Sequence, residues 1–155
     1  MDGQLPRLRI DGVAVAIGEH ALLLRGPVGS GRSDLALRLV DEGALLISDE
    51  QVELRRAGDA LLVGVPSAMP PHLVGRLEAR GLGIVPLPHE ARALPLRWVA
   101  DLMPQGEIER MPAAEQAAYL GVAIPVVRID PAAVSATARL RLVMRCAPDQ
   151  ILGRM

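Results

Sequence analysis

A glycine-rich stretch carries the clearest chemistry in this chain. It follows the pattern G-x-x-x-x-G-[KR]-[ST] and consists of Gly26, Pro27, Val28, Gly29, Ser30, Gly31, Arg32 and Ser33. In such a loop successive backbone N–H groups surround a phosphate, and the helix that follows presents its positive N-terminal end. The hydroxyl of Ser33 stands where a Mg²⁺ ligand is expected. The stretch therefore predicts nucleotide binding.

Arg32 occupies the position at which this pattern normally has lysine. All 17 basic residues are arginine, so the substitution is explained either by a bias that replaced every lysine or by loss or retuning of phosphoryl transfer. The two cations differ, because arginine is a planar fork and lysine a compact point charge. An Arg32→Lys variant separates the explanations: a large gain of activity marks a lesion, whereas a loss marks a site adjusted to arginine.

Two acidic residues, Asp49 and Glu50, follow the apolar run 44–48, at 16 and 17 residues after Ser33. Functional groups in α/β sheets collect at the carboxyl ends of strands. The order strand, loop, helix, strand, acid predicts that one of these carboxylates accepts a proton from an attacking hydroxyl or holds a metal-bound water.

A third motif is the segment 77–84, which contains Glu78, Arg80 and Gly81. An acid and a base two residues apart on an extended segment share one face. Glu78 and Arg80 are therefore candidates for one phosphate–metal site, although the residues taken alone favour a salt-bridged surface loop.

The elements that must position these groups are those of a β-rich α/β domain. Two short strands, Val13–Ile17 and His20–Arg25, form a predicted hairpin before the loop, and 33–42 form a helix that ends at Gly43. The other predicted elements are a strand at 44–48, a hairpin of 51–56 with 60–65, bends in 73–85, strands at 94–102 and 124–129, a short helix within 112–119, and a strand or helix at 138–144. We expect one domain, residues 1–155, with one principal crossover helix after the loop.

Composition excludes several classes of function. A net charge of -1 argues against a nucleic-acid-binding surface. Apolar runs of membrane-spanning length are lacking. Cys146 is the only cysteine, so no internal disulfide forms, which suits a cytoplasmic protein.

Taken in order, the three motifs resemble the bacterial HPr kinase/phosphorylase family, in a short form with only the C-terminal kinase domain. The resemblance runs from about residue 10 to residue 145 and rests on residues 26–39, 47–50 and 77–84. It implies a P-loop kinase fold related to phosphoenolpyruvate carboxykinase. The implied activity is ATP- and Mg²⁺-dependent phosphorylation of a serine on HPr, the phosphocarrier of a phosphotransferase system, by a homo-oligomer that is commonly a hexamer.

The resemblance also assigns roles to residues. It implies that residues 26–33 bind ATP, that Ser33 and Glu78 hold Mg²⁺, and that Asp49 is the catalytic aspartate with Glu50 beside it. Residues 77–86, including Arg80 and Gly81, correspond to a segment used in both directions of the reaction. Arg110 corresponds to a later active-site arginine.

The chain departs from the family pattern at Arg32, at Asp11 in place of histidine, at Glu50 in place of a second aspartate, and in 124–138, which lacks the stretch tied to phosphorolysis. These departures keep two alternatives open. One is a nucleotide-binding regulatory module of the phosphotransferase system without transfer activity. The other, by analogy with the carboxykinases, is an enzyme acting on a small-molecule acid.

Overall fold

A computed structural model describes residues 6–153. Its strands are β1 (Arg7–Asp11), β2 (Val13–Ile17), β3 (His20–Arg25), β4 (Leu45–Ser48), β5 (Gln51–Ala57), β6 (Ala60–Gly64), β7 (Arg76–Ala79), β8 (Gly83–Pro86), β9 (Leu94–Leu102), β10 (Glu115–Tyr119) and β11 (Val122–Ile129). Its α-helices are α1 (Arg32–Asp41) and α2 (Ala136–Val143), and single 3₁₀ turns cover Pro71–Leu73, Gln105–Glu107 and Pro148–Gln150.

Nine strands form one mixed sheet in the order β1-β5-β6-β9-β3-β2-β4, with β11 beside β9 and β10 beside β11. The pairs β3–β9 and β9–β11 are parallel, whereas β2 is antiparallel to both β3 and β4. Strands β3 and β4 therefore run in the same direction with β2 between them. The carboxyl ends of β3, β4, β9 and β11 consequently point to the same edge of the sheet.

Both faces of the sheet are covered by apolar side chains. Leu22 and Leu24 of β3 pack in one cluster with both α-helices, and Ala21 and Leu23 pack in a second cluster on the opposite face. A strand buried on both faces is continuously apolar rather than alternating. This burial explains why β3, which leads into the glycine loop, consists of leucine and alanine between its two polar ends.

Most of the predicted elements are confirmed. The helix after the loop covers Arg32–Asp41, both predicted hairpins form, and 138–144 is mostly helical. Segment 73–85 contains no α-helix and instead forms the β7–β8 hairpin. The helix predicted within 112–119 is wrong: Glu115–Tyr119 is a strand paired with β11 that buries Ala117. Good helix formers adopt a strand there because tertiary pairing outweighs intrinsic propensity.

The two α-helices are short, with 10 residues in α1 and 8 in α2. Within residues 6–153, no helix is long and apolar enough to cross a membrane.

Candidate functional site

The glycine loop joins the end of β3 to the start of α1 and is closely wound. Gly29 and Gly31 have φ angles of 86° and 98°, which favour glycine. A Cβ atom at Gly26 would lie 2.6 Å from the Oγ of Ser30, so this position has no room for a side chain. The N–H of Ser30 donates to the carbonyl oxygen of Pro27 at 3.0 Å. The loop therefore depends on its glycines for its path.

The mouth of this loop fits a phosphate. Gly31 caps α1 without a side-chain hydrogen bond, and no side chain within residues 6–153 accepts a hydrogen bond from the first N–H groups of the helix. Those groups and the helix dipole together attract an anion. A Cβ added at Gly29 would meet nothing within 4 Å, so the crest of the loop is open. Ser30 Oγ is buried and has no hydrogen-bond partner among the described residues.

Arg32 is the first residue of α1 and is partly exposed. Within residues 6–153 its guanidinium makes no hydrogen bond or ion pair. Arg38, nearly two turns further along α1, is instead held by the carboxylate of Asp34 and the carbonyl of Pro131. Arg32 therefore remains available to an anionic ligand, while Arg38 serves the local structure.

Ser33 and Asp49 meet, as the order of the motifs predicts. The Oγ of Ser33 donates to Oδ1 of Asp49 at 2.7 Å, and the N–H of Glu78 donates to Oδ2 of Asp49 at 3.2 Å. One carboxylate thus links the first turn of α1, the end of β4 and strand β7. The three motifs recognised in the sequence converge on Asp49.

The backbone turns sharply at Glu50, the residue directly after Asp49. Its φ angle is 68°, an uncommon value for a residue with a side chain, and its carbonyl accepts a 2.9 Å hydrogen bond from the N–H of Gly12. Its side chain is exposed, whereas Asp49 is half-buried. Asp11, next to Gly12, accepts a 3.3 Å hydrogen bond from Gln51. Of the acidic pair, only Asp49 is hydrogen-bonded to Ser33.

The oxygen donors of Ser33, Asp49 and Glu78 suit Mg²⁺. The described residues contain no group of three or more His, Cys, Asp or Glu side chains arranged to hold a metal. Mg²⁺ is usually bound by one or two carboxylates together with water and substrate phosphates, so a closed protein cage is not required. This donor set therefore fits a metal ion that arrives with a nucleotide.

The β7–β8 hairpin presents Glu78 at the surface because its neighbours Leu77 and Ala79 are buried. The premise that Glu78 and Arg80 share a face of one extended segment is wrong, since β7 ends at Ala79 and Arg80 lies in the following turn. Gly81 occupies that turn with a φ angle of 87°. Only Glu78 of these residues is tied to Asp49, through its backbone N–H.

Arg110 lies on the wall of a pocket of about 450 Å³ between the segment before β10, strand β11 and residues 151–153. Within the part of the chain that is described, it makes no hydrogen bond or ion pair with the glycine loop or with Asp49. The structure thus brings Arg32, Ser33, Asp49 and Glu78 to one region, and no contact joins Arg110 to it.

A second cluster of polar side chains lies at the same edge of the sheet and was not predicted from the sequence. Arg25 donates to both carboxylate oxygens of Asp101, at 2.6 and 2.8 Å, and to the hydroxyl of Tyr119 at 2.8 Å. The hydrogen bond to Asp101 raises the pKa of Arg25 above its usual value despite partial burial. Opposite charges near the ends of two largely apolar strands were the available signal.

Comparison with known proteins gives a consistent result. Residues 4–90, more than half of the chain, match the family model described as HPr Serine kinase C-terminal domain. An HPr kinase/phosphorylase from an Exiguobacterium species is 42% identical over 80 residues, which are 52% of this chain and 25% of that protein. One from Burkholderia lata is 34% identical over 137 residues, which are 83% of this chain and 42% of that protein.

The fold has a solved counterpart. A structure titled Hpr(Ser) kinase/phosphatase from Coxiella burnetii superposes with a TM-score of 0.75 at 18% identity, covering 89% of this chain and 94% of that one. The chain spans less than half the length of the curated relatives described above.

Proposed function

The chain belongs to the HPr serine kinase C-terminal domain family, and from this membership we propose that it transfers the γ-phosphoryl group of ATP to a serine of an HPr-like phosphocarrier protein. The observation that carries the proposal is the convergence of three motifs on one carboxylate. Ser33 of the phosphate loop and the backbone of Glu78 both donate to Asp49. A solvated acidic turn at a strand end would have no reason to contact both.

The loop residues 26–33 and the N-terminus of α1 bind the phosphates in this proposal. Arg32 supplies positive charge, and a guanidinium can hold two phosphate oxygens at once. Ser33 and Glu78 would hold Mg²⁺, with Asp49 close enough to share in its coordination. Bound there, Mg²⁺ neutralises charge on the phosphates.

Asp49 acts as the general base. The acceptor serine hydroxyl attacks the γ-phosphorus, a new O–P bond forms, the bond to the bridging oxygen breaks, ADP departs and the serine proton passes to Asp49. Catalysis of this type consists mainly of positioning and electrostatic stabilisation. Glu50 adds negative charge beside the base, and Arg110 is the further active-site arginine that the family resemblance implies.

The proposal concerns the forward reaction, because residues 124–138 do not resemble the stretch tied to phosphorolysis. It includes a cytoplasmic location, where ATP and phosphocarriers occur, and assembly into a homo-oligomer. Sedimentation analysis of the purified chain tests the assembly directly.

Intact-mass spectrometry tests the transfer. An HPr-like protein is incubated with the chain and Mg-ATP, alongside the Arg32→Lys and Asp49→Asn variants. We expect a single added phosphate with wild type and none with Asp49→Asn. Binding of ATP without any transferred phosphate would instead identify a regulatory module.

A further inference from the structure

Arg25 is the last residue of β3, directly before the first glycine of the loop. Its guanidinium donates two hydrogen bonds to Asp101 of β9 and a third to Tyr119 of β10. Side chains alternate between the two faces of a strand, and Ala21 and Leu23 lie in the cluster opposite the helices. Arg25 therefore points away from α1 and reaches the phosphate-binding groups only through its own backbone.

Strand β9 supports the start of the loop through two consecutive residues. Asp101 holds Arg25, and the Cβ of Leu102 lies 3.3 Å from the position that a Cβ on Gly26 would occupy. The end of β3 is thus held by a bidentate ion pair, and the loop residue that follows lies directly on Leu102. A bidentate arginine–carboxylate pair fixes orientation as well as distance.

Tyr119 is itself held in place. It ends β10, and the next carbonyl, that of Leu120, accepts a 2.9 Å hydrogen bond from Arg56. A Cβ on Gly121 would lie 2.7 Å from the same guanidinium, so the turn of this hairpin fits closely around Arg56. The turn that follows Tyr119 is therefore anchored on Arg56.

We propose that Arg25 is a positioning residue for phosphoryl transfer. Its guanidinium group, held by Asp101 and Tyr119, fixes the direction of the backbone at the end of β3. The position of Gly26 follows from that direction, and with it the alignment of the backbone amides of the loop. The proposal rests on the proposed kinase function for its effect on turnover. A displacement of about 1 Å in a positioning element costs up to about 10²-fold in rate. Lysine in place of Arg25 keeps the charge and loses the fork.

The test compares Arg25→Lys and Tyr119→Phe with a control, Arg7→Lys. Arg7 makes an exposed cross-strand ion pair with Glu53 at 3.2 Å, remote in sequence from the loop. Backbone amide signals of the ligand-free protein are recorded by NMR, followed by the melting temperature, the Kd for Mg-ATP, and kcat and KM for transfer to an HPr-like protein. Tyr119→Phe removes one hydroxyl and so keeps the fold testable if Arg25→Lys does not fold.

We expect the amide signals of Gly29 and Gly31 to shift in both variants and to stay unchanged in Arg7→Lys. We also expect kcat to fall by about tenfold or more in Arg25→Lys, with the KM for the acceptor protein unchanged. Signals that change only near residues 24–26 and the β10–β11 hairpin, with melting temperature as the sole loss, would overturn the proposal. If wild type transfers no phosphate, the kinase proposal fails separately, and the amide signals still decide whether Arg25 aligns the loop.

Discussion

The hydroxyl of Ser33 and the carboxylate of Asp49 are joined by a 2.7 Å hydrogen bond across 16 residues of sequence. Strand β2 lies between the strands that lead to these residues, so the contact spans the ends of two strands that are not neighbours in the sheet. The sharp turn at Glu50 and the first turn of α1 close this gap. The candidate site is therefore held together by hydrogen bonds within the chain.

Asp49→Asn should abolish transfer while leaving the fold intact. The amide oxygen of asparagine can still accept from the N–H of Glu78, and its NH2 group can donate to the hydroxyl of Ser33. Asparagine cannot take the serine proton, so we expect a loss of about 10²–10⁴-fold in kcat. Intact-mass spectrometry of the acceptor measures the loss. Asp34→Asn is the matched control, because the Asp34 side chain, next to Ser33 in the first turn of α1, is 70% exposed and among the described residues pairs with Arg38. Equal activity in the two variants would remove Asp49 from the mechanism.

Arg32→Met should weaken Mg-ATP binding by about tenfold or more, since a charged hydrogen bond to phosphate is lost. Arg32→Lys should keep the affinity within a few-fold, because the charge remains. Calorimetric titration with Mg-ATP measures both. Arg139→Met, on the exposed side of α2, is the control and should bind as wild type. Unchanged affinity in Arg32→Met would show that the guanidinium does not face the phosphates.

Leu77→Ala should destabilise the protein by about 2–5 kcal/mol, since Leu77 is 1% exposed and packs in the cluster that contains α1. The nearby Leu82 is 78% exposed, and Leu82→Ala should change stability by less than about 0.5 kcal/mol. Urea unfolding gives both values. Similar losses in the two variants would mean that the β7–β8 hairpin is not fixed by its buried face.

The contact between Glu90 and Arg92 should make the stability of the fold depend on pH in the acid range. The side chain and N–H of Arg92 donate to Glu90 and lower the pKa of its carboxyl from 4.5 to about 2. Because folding lowers this pKa, the contribution is present above about pH 4.5 and is lost as the pH falls towards about 2. Over that pH interval the melting temperature of Glu90→Gln should therefore fall by less than the melting temperature of the wild type. Glu19→Gln, whose carboxylate lies 3.5 Å from the same arginine, is the comparison.

The parts of the fold that local sequence encodes were predictable. The glycine loop and α1 were predictable from one continuous segment, because the loop needs glycines at fixed positions and Gly43 follows the end of the helix. The acidic pair marked the end of β4, and the family resemblance favoured Asp49. The residues alone left the choice between Asp49 and Glu50 open, because it depends on the positive φ angle at Glu50. The strand at 115–119 was missed although its partner β11 follows after a short turn, because its alanine, glutamate and glutamine residues favour a helix. The Arg25–Asp101 pair joins residues 76 positions apart, and no local pattern reports such a partner.

Strand β9 is synthesised after the glycine loop, the acidic pair and Glu78, yet β3, β6 and β11 all pair with it. A ribosome-bound chain that has reached residue 90 therefore carries most of the candidate site on a sheet with an open edge along the leucines of β3. Unpaired edges of this kind associate with other chains. Expression of residues 1–90 alone should accordingly yield aggregates, and the smallest soluble fragment must extend beyond residue 102.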